Sequence, residues 1–325
     1  MTTALNKIKP NLVELTACNL EYPDDFNEDF HPFYFDDFLY YMIWSSTGDR
    51  KLLSVNLKTG DQNLLEFTAQ FPSIKSIIRK FRPLPTSFRT NKPGFVIVEN
   101  FNDAEKPSCT IHNVEVDIER NVCIVLEEPI HEFHNTNFCE IDFVKNDHTL
   151  LLHYETKKST GNYTIYELRA NNNKSYYLKP LIGFPFDGKW IFNAHIFGDY
   201  LVADRAGYQI FVRNLQKQKS KSFDYAKPKF FSYYMGTIVT SNGLRMYFMD
   251  HIKQPHFSEV GIIDVSGDLN VSEYRNLFTL PTGWWKAYGV SKDVMYLGNS
   301  TDGGYIYYKL PIRDHKVDSG LPLQS

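Results

Sequence analysis

Phe138 to Leu178 reads FCEIDFVKNDHTLLLHYETKKSTGNYTIYELRANNNKSYYL. It holds four short strands in a row. Phe138–Val144 is followed by a turn at Asn146-Asp147, and Thr149–Tyr154 by the polar loop 157–162. Tyr163–Leu168 is followed by the turn Asn171-Asn172-Asn173, and Ser175–Leu178 ends the unit. Short β-branched and aromatic runs bounded by Asn, Asp and Gly are a hairpin signal, because those turn residues tolerate the positive φ that tight reversals need.

The same unit recurs along the chain. The turns between first and second strands are Asp36-Asp37, 91–94, Asn146-Asp147, Gly198-Asp199, Asn242-Gly243 and Lys292-Asp293, spaced by about 45 to 55 residues. A second run follows each turn: Phe38–Trp44, Phe95–Glu99, Thr149–Tyr154, Tyr200–Ala203, Leu244–Met249 and Val294–Leu297. Third runs are Leu52–Leu57, Cys109–Val114, Tyr163–Leu168, Tyr208–Val212, Val260–Val265 and Tyr305–Leu310. Fourth runs follow five of these: Asn63–Phe67, Val122–Leu126, Ser175–Leu178, Ser220–Tyr225 and Ser272–Leu280. The sixth unit lacks a fourth run, while Asn11–Cys18 is a strand without a unit. An N-terminal strand that completes the last sheet accounts for both.

These repeats predict an all-β chain that resembles the β-propeller families: six blades in one domain, with the N-terminal strand in the last blade. Radial repetition leaves only short outer edges exposed. The expected parts are a closing strand 11–18, blades 30–68, 91–128, 138–180, 189–225, 230–280 and 284–312, and a tail 313–325. Residues 69–90 are read as an inserted loop with a short helix near 72–82, since Ile74, Ile77, Ile78 and Phe81 fall at helical spacing behind Pro72. The resemblance is architectural. The Trp-Asp and Gly-His marks of the WD40 family are absent, and the paired glycines of kelch repeats occur only at Gly303-Gly304.

Composition narrows the function classes. With 42% hydrophobic and 22% charged residues the chain is globular. Its 25 Phe and 21 Tyr suit half-buried pleated surfaces. A net charge of -3 gives no global attraction to nucleic acid or anionic membrane. The four cysteines, Cys18, Cys109, Cys123 and Cys139, form no C-x-x-C pair. No apolar signal segment or membrane-spanning run is present in the sequence, so the expected location is intracellular, cytoplasmic or nuclear, with no membrane partner.

No phosphate-binding loop, serine-hydrolase elbow or H-E-x-x-H motif occurs, and the expectation is no catalytic residue, no metal and no cofactor. His131-Glu132-Phe133-His134 has its histidines at the wrong spacing for that zinc geometry and reads as a loop tip; His251 and His256 flank a second loop. Candidate partner-binding residues are Lys75, Arg79, Arg82 and Arg89 on the basic flank of the insertion, and Lys189, Trp284 and Trp285 at blade entries. Adjacent residues of a strand face opposite ways, so one ring of the Trp pair packs and the other reaches a surface. Core packing is the commoner fate of such rings, and an exposed Trp is a favoured anchor.

The leading expectation is a non-catalytic interaction module, a scaffold or adaptor for protein or peptide partners. An RNA-associated role would use the basic insertion, or Lys217–Lys221 with Lys227, Lys229 and nearby aromatics. The bland reading of the Lys217 cluster is a solvated outer strand. A third expectation is a six-bladed metal-dependent hydrolase similar in plan to lactonases, for which that resemblance implies ligands such as Glu140, Asp142 and Asn193.

Overall fold

In a computed structural model of the chain, the described residues are 12–18, 26–28, 33–35, 37–47, 49–68, 76–84, 94–101, 108–125, 129–134, 138–146, 149–155, 162–170, 176–185, 191–225, 231–252, 257–290, 294–301 and 304–312. All regular structure among them is β-strand. The chain divides into two compact units, Leu20–Ala226 and a second formed by Met1–Asn19 with Lys227–Ser325. The second unit owns the first strand, β1 (Val13–Cys18).

The unit Leu20–Ala226 begins with a sheet whose first strand is in two pieces, β2 (Phe26–Glu28) and β3 (Phe33–Phe35). Both lie along β4 (Phe38–Ser45), followed by β5 (Arg50–Asn56) and β6 (Gln62–Phe67). The second sheet holds β7 (Ser76–Leu84), β8 (Gly94–Phe101) and β9 (Ser108–Asp117). Its fourth strand is again split, into β10 (Val122–Val125) and β11 (His131–His134), both along β9. The two sheets are joined: β6 and β10 pair in parallel through Val122–Glu66 and Cys123–Phe67, making one ten-stranded sheet. Tyr40, Met42, Leu52, Leu65, Phe95, Ile97, Val114, Val116 and Cys123 form one buried cluster drawn from both. Burying each large side chain contributes about 1.5–3 kcal/mol.

Two four-stranded antiparallel meanders complete this unit. The third sheet is β12 (Phe138–Asn146), β13 (Thr149–Glu155), β14 (Asn162–Ala170) and β15 (Tyr176–Pro185). The fourth is β16 (Ile191–Phe197), β17 (Tyr200–Arg205), β18 (Gln209–Asn214) and β19 (Ser220–Asp224).

The other unit holds two sheets. The fifth is β20 (Phe231–Thr240), β21 (Gly243–Ile252), β22 (Phe257–Ser266) and β23 (Arg275–Thr279). The sixth is β24 (Trp284–Val290), β25 (Val294–Thr301) and β26 (Gly304–Pro311), with β1 antiparallel to β26. Val13 pairs Lys309 and Cys18 pairs Tyr305, so the strand without a unit lies on the sheet that lacked one. Between the two sheets Tyr247, Met249, Val260, Ile262 and Phe278 pack with Trp285, Met295, Leu297 and Leu310.

The same small latch recurs in three sheets. The amide after the third strand donates to the carbonyl of the turn before the second: Leu57 to Asp37 (2.9 Å), Leu215 to Asp199 (2.7 Å) and Gly267 to Asn242 (2.9 Å). Asn56 Oδ1 accepts from the Lys58 amide at 2.9 Å and Asn214 Oδ1 from the Lys217 amide at 2.8 Å, side-chain turns that Asn makes readily. The first strands also share a feature: a bulge lies between Ile78 and Lys80, Ile141 and Phe143, Ile191 and Asn193, Tyr234 and Gly236, and Ala287 and Gly289.

The expected helix near 72–82 is corrected by β7. Ser76–Leu84 is an edge strand paired with β8, and it supplies the first strand of the second sheet rather than an insertion. The bulge explains the misreading. Ile78 pairs Glu99 and Phe81 pairs Ile97, so a spacing of three in β7 covers two in β8. A bulged strand thereby copies the helical i, i+3 pattern, and Pro83 is tolerated because the strand is at an edge. Pro72 and Ile74 lie outside the described residues. The histidine run 131–134, expected at a loop tip, is also a strand.

Candidate functional site

The end of the fifth and sixth sheets gathers polar side chains over an apolar core. Along β21, Tyr247, Met249 and His251 alternate onto the face that packs against the sixth sheet. His251 pairs with Ser258 across the ladder, and His251 Nδ1 and Ser258 Oγ share a hydrogen bond of 2.8 Å. Ser258 is fully buried and its carbonyl accepts from the Leu280 amide at 2.8 Å. That bond ties the approach to β24 onto β22. Burial pushes the His251 imidazole below its ordinary range, opposed by the neighbouring Asp250 carboxylate.

Trp284 stands beside this pair. Its ring centroid is 6.3 Å from that of His251, with the planes tilted by 44°, and the residue is 61% exposed. The next residue, Trp285, is buried, donates from Nε1 to the Pro281 carbonyl at 2.8 Å and packs on Tyr308. Gly283 (φ 151°) turns the chain into β24 in a conformation that side-chain-bearing residues rarely adopt. A Cβ there would lie 2.2 Å from Asn299 Oδ1, a buried acceptor with no hydrogen-bond partner.

The opposite face of β21 carries Asp250, fully buried, paired in register with Glu259. The Tyr274 hydroxyl donates to Asp250 Oδ2. Burial, and then that carboxylate, push the phenol far above its ordinary range. This arrangement does not make a catalytic relay. Ser258 has no surface from which to attack a substrate, and Asp250 is turned to Tyr274 rather than to the imidazole. What the end of these sheets offers is an indole held on a fixed base.

The candidate residues from the sequence divide three ways. Trp284 and Trp285 are adjacent on β24, one outward and one inward. Arg79 lies at the β7 bulge and Arg82 pairs Val96, in the unit Leu20–Ala226; they sit on a strand, so no helical flank gathers them. Lys75, Arg89 and Lys189 lie outside the described residues. Glu140 and Asp142 are on β12 and Asn193 on β16. Among the described residues no group of three or more His, Cys, Asp or Glu could hold a metal ion. No helix among them is long and apolar enough to cross a membrane. The Lys217 cluster runs into β19, the exposed outer edge of the fourth sheet, where lysines discourage edge-to-edge pairing.

His251 and Ser258 were not singled out together from sequence. The visible signal was the period-two run Tyr247, Met249, His251, which continues the strand past the point where a loop was expected. His131 and His134, three apart on β11, belong to opposite faces of a strand and so do not form a ligand pair.

No family model matches the chain, and no curated protein matches it. Among solved structures it is similar to oligopeptidase B from Leishmania major at 10% identity, covering 86% of this chain and 46% of that one, with a TM-score of 0.42. The AfRom2 CNH domain matches at 10% identity over 92% of this chain and 98% of that one, with a TM-score of 0.42. TolB from Acinetobacter baumannii matches at 14% identity over 85% of this chain and 64% of that one, with a TM-score of 0.44. The chain thus spans about half the length of the oligopeptidase. The fold described above rests on the chain's own strand pairing.

Proposed function

We propose that the chain is a six-bladed propeller closed by β1, and that it works as a non-catalytic module binding a protein or peptide partner through Trp284. Four four-stranded sheets, one of them completed by β1 on β26, and a ten-stranded sheet made of two further joined units support the ring. The observation that carries the binding reading is the 61% exposure of Trp284 on a base fixed by buried Trp285, Ser258 and the Leu280 amide. A rigid aromatic anchor loses little entropy on docking, and indoles dominate binding hot spots.

The test is capture by the tagged full chain from a cell extract, comparing wild type with Trp284→Ala. Val239→Ala, an exposed apolar residue on β20, is the control. Loss of a hot spot costs about 2 kcal/mol or more, roughly thirtyfold in affinity, so the captured partner should vanish with Trp284→Ala alone. An unchanged partner in the Trp284 variant would overturn the reading.

A further inference from the structure

We propose that the open edge of β19 takes an extended acidic segment of a partner protein as one more strand, its carboxylates set against Lys219 and Lys221. The surface belongs to the unit Leu20–Ala226, and it stands or falls without the reading of Trp284.

The backbone of β19 is laid out for such a strand. Among the described residues it pairs with β18 alone, from Gln209–Asp224 to Arg213–Ser220, with no break in register. The Asn214 amide donates to the Lys219 carbonyl and the Tyr225 amide to the Tyr208 carbonyl, both at 2.9 Å. Along an antiparallel strand the backbone groups of successive residues point to alternate sides. Lys219, Lys221, Phe223 and Tyr225 therefore turn their backbone groups to β18. Ser220, Ser222 and Asp224 turn theirs to the open edge, and all three are exposed. This fold already accepts a strand in that place: β6, the fourth strand of the first sheet, takes β10 along its outer edge. Other outer strands are less suited. The pairings of β1, β15 and β23 are each broken by a register shift, and β15 also carries Pro180 and Pro185, which lack a donor.

The side chains select the occupant. Lys219 and Lys221 stand two apart on one face of the strand, exposed, and neither has a carboxylate partner among the described residues. Arg213, the register partner of Ser220, puts a further positive charge on the other face. The charge of opposite sign, Asp224, lies at the far end and accepts from Gln209 Nε2 at 3.2 Å. Lysines that repel a like edge attract an acidic one. An antiparallel strand bonded to Ser220 and Ser222 leaves its residues opposite Lys219 and Lys221 at the non-hydrogen-bonded positions, where side chains come closest. The fitting segment is thus extended, with Asp or Glu at every second residue.

The test titrates the full chain with a synthetic peptide of about eight residues, an ordinary strand length, that alternates Glu with Val. Binding is read by calorimetry and amide exchange by nuclear magnetic resonance. The Ser220 and Ser222 amides should exchange faster than those of Lys221 and Phe223 in the free chain, and slow by about tenfold or more when peptide is bound. Reversing both charges, Lys219→Glu with Lys221→Glu, should weaken binding by about tenfold or more. A peptide N-methylated on the amides that would face β19 keeps its charge and should not bind. Ser222→Pro should also abolish binding, while β18 stays protected, because the amide it removes faces outward. The account is overturned by a peptide that leaves the Ser220 and Ser222 amides unchanged, by an N-methylated peptide that binds equally well, or by a Lys-Val peptide that does. A single-stranded oligonucleotide of equal charge that binds more tightly than the peptide would overturn it too, in favour of a nucleic-acid partner.

Discussion

Gly283 is a residue whose identity is set by geometry alone. Its positive φ and the Asn299 carboxamide against its Cα leave no space for a side chain. Gly283→Ala should destabilise the protein by about 1–3 kcal/mol, read as a lower urea midpoint. Asn299→Ala in that background should recover part of the loss, because the two sites share one contact. Histidines set a second expectation. Burial lowers the folded-state affinity of both His251 and His131 for protons. The unfolded chain then binds protons first, so stability is full above about pH 6.5 and falls as pH drops from there toward the folded values. Urea midpoints at about pH 8 and about pH 5.5 should show that loss, and His251→Gln should shrink it. Strand alternation made it legible that one ring of the Trp284-Trp285 pair packs and the other reaches a surface, but not which does which. The partnership of His251 with Ser258 was not legible, because it joins two strands across a connection that read as a loop.

At the scale of elements, strands with uninterrupted alternation were plain in the sequence. Thr149–Tyr154 and Leu244–Met249 sit inside β13 and β21. The first strands were harder, because each bulge resets the alternation, and in β7 the reset mimics a helix. The parallel join of β6 to β10 had no local signal, since it rests on two residue pairs distant in sequence. It is reinforced by the Thr68 amide on the Cys123 carbonyl (3.0 Å) and by the Val125 amide on Thr68 Oγ1 (3.1 Å). Thr68→Val should therefore speed exchange of the Val125 amide while leaving β8 protected, as hydrogen-exchange mass spectrometry would read. In the fifth sheet Asp264 on β22 takes Arg245 of β21 through both carboxylate oxygens, at 2.7 and 3.2 Å, and Arg275 of β23. This clamp spans three strands but is partly exposed, so Asp264→Asn should cost only about 1 kcal/mol in denaturant unfolding.

At the scale of the whole molecule, the repeat was legible because each sheet reuses one short-range plan: turn, strand, turn, strand. The latch from the third strand to the first turn occurs in both compact units, which marks them as built from the same motif. What joins one sheet to the next is set by long-range pairing, and there the sequence offered a single clue, the N-terminal strand with no unit of its own. Hydrogen exchange along Val13–Cys18 tests the account most directly. With β1 completing the sixth sheet, these amides should be protected together with those of β25 and β26 and open with them in one cooperative step. Amides of Val13–Cys18 that exchange at unfolded rates while β25 and β26 stay protected would contradict it.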